Sequence, residues 1–155
     1  MHVTRVRFDD LAEIERPARG DYDAQVPILG TRQGSELLVS PFNALNLTRE
    51  YAGQATRIND VMVPGPATSD ERRTLRLPAG ATFAAVPDAV HLDTPLVQFD
   101  LEYERQGAGT LVVHQRYVLK THRVAVAQYA AWREACQRVD EAQNRRITIH
   151  LGGTP

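Results

Sequence analysis

With 155 residues, 43% of them apolar and 24% charged, the chain can bury a sizeable core without a metal or disulfide staple and is too apolar to be disordered throughout. Its 18 basic and 19 acidic side chains leave a formal net charge of −1. The basic excess that phosphate neutralisation requires of a duplex-binding domain is therefore missing, and nucleic acid is not an expected partner.

Cys136 is the single cysteine, which forbids an internal disulfide. No apolar run approaches the about 18 residues of a membrane span. The N-terminal residues Met1 to Arg7 enter a strand-like pattern directly, with no leader-type apolar region.

Thr4, Val6 and Phe8 alternate with Arg5 and Arg7, and Tyr22, Ala24, Val26 and Ile28 alternate with Asp21, Asp23 and Gln25. Side chains two apart share a strand face, so each run predicts a strand with one buried and one wet side. Asp9 to Gly20 is a charged connection between them. Gly30 and Gly34 bracket a turn before the short apolar run Glu36 to Val39. From Ser40 to Thr56 the apolar residues Phe42, Leu45, Leu47 and Tyr51 follow neither helical nor strand spacing, which predicts an irregular connection. Arg57 to Val63 reads as a strand stopped by the breaker cluster Pro64-Gly65-Pro66.

Arg72 to Leu77 predicts a strand ending at Pro78, Phe83 to Val86 an extended piece ending at Pro87, and Val90 to Leu92 another short strand. The best hairpin signal follows. Val97, Phe99, Leu101 and Tyr103 alternate with polar residues, a Gly-rich loop over 105–109 turns the chain, and Leu111, Val113, Tyr117 and Leu119 resume the pattern. One helix is predicted from about Ala125 to Gln143, with Val126, Tyr129, Ala130, Trp132, Cys136 and Val139 forming its apolar stripe. Ile147, Ile149 and Leu151 make a last strand. Many short strands with a single late helix predict a mainly β, α+β domain: an antiparallel sandwich-like body with one C-terminal helix packed on it, over residues 1–155 as a single unit.

Residues able to do chemistry are scattered. Cys136 lies past the middle of the helix on its apolar stripe, where neither a helix N-terminus nor a cation would lower its pKa, so it reads as a buried small hydrophobe. His91, His114, His122 and His150 lack the spacing of a metal motif. His91 and Asp93 share a strand face, a fragment of a metal site or triad that a solvated face explains equally well. No G-x-S-x-G elbow surrounds Ser35, Ser40 or Ser69, and Gly107-Ala108-Gly109 joins two strands rather than cradling a phosphate. Asp100 and Glu102 belong to a wet strand face. Asn46-Leu47-Thr48 matches a glycosylation sequon, a pattern common by chance. No catalytic residue, cofactor or metal site is expected, and Trp132 is placed in the core rather than on a sugar-stacking surface.

Leu77-Pro78-Ala79-Gly80, Val86-Pro87, the alternating hairpin, Tyr129-Ala130-Ala131-Trp132-Arg133 at the helix and the Ile-rich last strand stand in an order that resembles the C-terminal β-domain of bacterial transglutaminase-like proteins. In those proteins an N-terminal β-domain of unknown function precedes a cysteine catalytic core, and the C-terminal domain follows. The resemblance covers about 70–150, and 1–69 loosely. The family's catalytic Cys, His and Asp follow in that chain order. Here only His150 follows Cys136 among the histidines and no Asp follows His150, so no catalytic residue carries over.

The resemblance implies an exported, periplasmic parent protein, in which this chain is a non-catalytic accessory domain. It would pack on or orient a covalently linked or adjacent catalytic domain, with Phe42, Leu45, Leu47 and Tyr51 as the candidate interaction surface. The rival reading is a free-standing β-sandwich module that binds carbohydrate or peptide.

Overall fold

The computed structural model describes residues 2–9, 19–25 and 30–152, in two compact units, Met1–Thr31 and Arg32–Pro155. In the first unit β1 (His2–Asp9) runs antiparallel to β2 (Arg19–Gln25), with Val6 opposite Tyr22. Both strands lie where the alternation placed them. The charged connection and the Val26–Ile28 end of the second predicted strand fall outside the described residues.

The second unit begins within β3 (Gly30–Gln33), which turns through Gly34 into β4 (Glu36–Val39). A short helix α1 (Leu47–Tyr51) follows, then β5 (Val61–Met62), β6 (Ala67–Arg76), β7 (Thr82–Ala85) and β8 (Val90–Asp93). The predicted hairpin is β9 (Val97–Arg105) and β10 (Thr110–Leu119), turning at Gly107, whose φ of 83° suits a residue without a Cβ. Then come β11 (Arg123–Val124), one 3-10 turn (Val126–Gln128), helix α2 (Tyr129–Asn144) and β12 (Ile147–His150).

Every pairing is antiparallel. One sheet has the order β6-β10-β9-β8, the other β3-β4-β12-β7, and β11 pairs with β5 in a separate ribbon. The expected fold class holds: two antiparallel sheets and a C-terminal helix share one core. Val39, Phe83, Ile147 and Ile149 from the second sheet join Phe99, Leu101, Leu111 and Val113 from the first, and Tyr129, Trp132, Cys136 and Val139 from α2. All four helix residues are at most 3% exposed. Their three- and four-residue spacing puts them on one stripe, and that stripe faces the sheets.

Three boundaries differ from the sequence reading. The Ser40–Thr56 stretch contains α1. The run Arg57–Val63 supplies only the two-residue β5, and β6 begins five residues earlier than expected. Helix α2 starts at Tyr129, so Val126 lies in the preceding 3-10 turn and is exposed instead of joining the stripe.

Candidate interaction surface

Phe42, Leu45, Leu47 and Tyr51 lie together, but inward. Phe42 and Leu47 are buried, and Leu45 and Tyr51 are half-buried against the same core. The expected contiguous exposed patch is therefore a set of core anchors. The physical reason is α2, which supplies the hydrogen-bond partners that this segment's backbone would otherwise seek in a sheet. The Leu45 N–H donates to Gln143 Oε1 at 2.8 Å. The Leu47 and Thr48 N–H groups donate to the two carboxylate oxygens of Asp140 at 2.9 and 2.8 Å. The Tyr129 hydroxyl donates to the Gln54 carbonyl at 2.7 Å. Gln143 in turn donates to Gln115 Oε1 at 2.8 Å, which satisfies a polar side chain buried on the core side of β10. The Arg73 guanidinium lies 4.9 Å from the Phe42 ring centroid and donates to the Pro41 carbonyl.

The large apolar side chains that do face solvent in the second unit are others. Ile58 is 93% exposed, Met62 65% and Val126 40%. All three lie close in chain or register to Asp60, which ties the β5–β11 ribbon to the start of the helical region. Its Oδ1 accepts the Val126 N–H at 2.8 Å and its Oδ2 accepts Arg123 Nε at 2.6 Å. The Val126 backbone bond first, and the Arg123 bond second, hold the Asp60 carboxyl below the usual carboxylate range. Sequence reasoning missed these residues, although the alternation Val61-Met62-Val63 already turned Met62 away from its buried neighbours.

Cys136 is fully buried, and burial first, then the Asp140 carboxylate, pushes its thiol up to about 12. A thiolate there is disfavoured on both counts. Trp132 is fully buried too, so it offers no stacking face.

The histidines are brought to separate places. His91 pairs with Asp100 at 3.0 Å rather than with Asp93, which takes Lys120 instead. His114 stands between Asp70 at 2.8 Å and Glu102 at 3.6 Å on the face of the sheet turned away from the core, with Arg116 also on Asp70. The bonds from His114 and then Arg116 lower the Asp70 carboxyl below its ordinary value. His122 and His150 are exposed. Among the described residues no group of three or more His, Cys, Asp or Glu side chains is arranged to hold a metal ion. Among the same residues no helix is long and apolar enough to cross a membrane.

The sequence profile of a domain of unknown function with a solved structure, DUF3858, matches residues 35–149, the span from β4 to β12. The chain belongs to the DUF3858 family. A crystal structure from Parabacteroides distasonis, of a protein described as a "putative protease", superposes on this DUF3858 domain with a TM-score of 0.60 at 14% identity. The superposition covers 77% of this chain and 24% of that one, so the domain spans about a quarter of that protein. At this identity the likeness is one of fold. No curated protein matches the DUF3858 domain in sequence.

Proposed function

We propose that this DUF3858 domain is a non-catalytic accessory domain of a larger, exported, transglutaminase-like protein, where it packs on and orients a catalytic neighbour. The observation that carries the reading is the superposition on 24% of a much longer chain described as a protease: the fold is used there as one part of a bigger molecule. The burial and raised pKa of Cys136 agree with a chain that leaves cysteine chemistry to another domain. The order of motifs over 77–133 and the last strand supplies the transglutaminase-like parent and, with it, the periplasm.

The test uses the source cells. An antibody raised against the domain should detect, in the periplasmic fraction, a polypeptide well above the 17.3 kDa of this chain. The purified domain alone should neither crosslink glutamine to lysine nor cleave a casein substrate. A cytoplasmic band at the mass of the domain, or turnover by the domain alone, would overturn the reading.

A further inference from the structure

We infer that the groove between β8 and α2 binds an acidic peptide segment in extended form, adding it as a strand to the free edge of β8. Strand β8 closes one side of its sheet and pairs with β9 alone. Its other edge presents backbone N–H and C=O groups, which is the template used in strand addition. Beside that edge runs a groove of about 290 Å³, walled on one side by the backbone from Ala89 to His91 and on the other by Arg138, Glu141 and Arg145.

The helix wall gives the groove its sign. Arg138 and Arg145 are seven residues apart, two turns of helix, so they share a face about 10 Å apart along the axis. Both are exposed, and among the described residues neither guanidinium has an ion pair or hydrogen bond. Arg145 follows the last turn of α2, where a cation offsets the helix dipole. Arg138 is mid-helix, and no such role accounts for it. Glu141 is the one opposing charge on this wall, leaving it net positive. Guanidinium groups take carboxylates in a bidentate fork, and the strand edge supplies what a small anion cannot use. A peptide carrying acidic side chains engages both walls at once. Pro87 and Pro95 flank β8, which limits the added strand to about the four residues of β8 itself. The inference stands on this groove alone and is independent of the accessory role.

The test is fluorescence anisotropy on the whole chain. The probes are a labelled alternating Val/Glu hexapeptide, its Val/Lys counterpart, and a Val/Glu hexapeptide N-methylated at every second residue so that it cannot pair as a strand. The Val/Glu peptide should bind saturably. Binding should weaken about tenfold or more in the Arg138→Ser, Arg145→Ser double variant at unchanged Tm, and to a similar degree on N-methylation. The Val/Lys peptide should bind more weakly than the Val/Glu peptide. Equal binding by the Val/Lys peptide, by the double variant or by the N-methylated peptide would overturn the proposal. So would the lack of saturable binding at about 1 mM peptide.

Discussion

Asp140 caps a helix ninety residues away from it in the chain: its two carboxylate oxygens accept the backbone N–H groups of Leu47 and Thr48 at the start of α1. A five-residue helix is too short to be stable by itself. The first N–H groups of any helix also lack partners within it. Asp140 supplies those partners from α2, so the folding of this segment depends on the folding of α2.

Asp140→Ala should therefore cost about 1–3 kcal/mol, the scale for hydrogen bonds to a charged group. The loss should be local in its dynamics. Hydrogen exchange of the Leu47 and Thr48 amides is expected to quicken more than that of β9 and β10 amides. Equal protection of Leu47 and Thr48 in wild type and variant would show that the cap does not hold the segment.

Trp132→Ala removes the largest fully buried side chain and should cost about 3–5 kcal/mol in chemical denaturation. Trp132→Phe should cost less. It leaves a smaller void and removes an indole N–H that has no acceptor among the described residues. Alanine and phenylalanine variants of equal stability would mean that core volume is not what Trp132 contributes.

Cys136 should resist thiol reagents in the native state near neutral pH and react once the chain is denatured. Its alkaline behaviour follows from linkage. The thiol is raised from an ordinary value of 9.0 to about 12 in the folded state, so above about pH 9 the unfolded chain loses a proton that the folded chain keeps. Stability should then be complete below pH 9 and fall as pH rises toward 12. Tyr117, raised in the same direction mainly by burial, adds to the fall. Cys136→Ala should flatten part of this dependence in urea melts. An unchanged slope would show that the thiol does not contribute.

Gly65→Ala should destabilise the domain. A Cβ built there would stand 2.4 Å from the Thr121 carbonyl oxygen and under 3 Å from two carbons of the buried Leu119 side chain. Overpacking of this kind typically costs about 1–3 kcal/mol. A variant melting with the wild type would mean that the 119–121 backbone yields freely.

On the outer sheet face, His114→Ala should raise the pKa of Asp70, because the His114 bond is the largest of the interactions holding that carboxyl low. Carboxyl-detected NMR titration of Asp70 reads this directly. A titration midpoint unmoved by the substitution would assign the lowering to Arg116 instead.

What the sequence by itself determined was everything written in a repeating spacing. The two-residue alternation of β9 and β10 and the three- and four-residue stripe from Tyr129 to Val139 each encode a face, and a face is enough to say which side chains go inward. The antiparallel class followed, because a single helix cannot bridge parallel strands. The same alternation around Val61 and Val63 already pointed Met62 outward. Only the tertiary structure decided Ser40 to Thr56, where Phe42, Leu45, Leu47 and Tyr51 have no period of their own. Their burial depends on Asp140, Gln143 and Tyr129, side chains about 75 to 98 positions away. Nor does any local pattern set Arg138 and Arg145 beside the free edge of β8. That juxtaposition arises when helix and sheet pack, since a contact between distant parts of a chain leaves no spacing within either part.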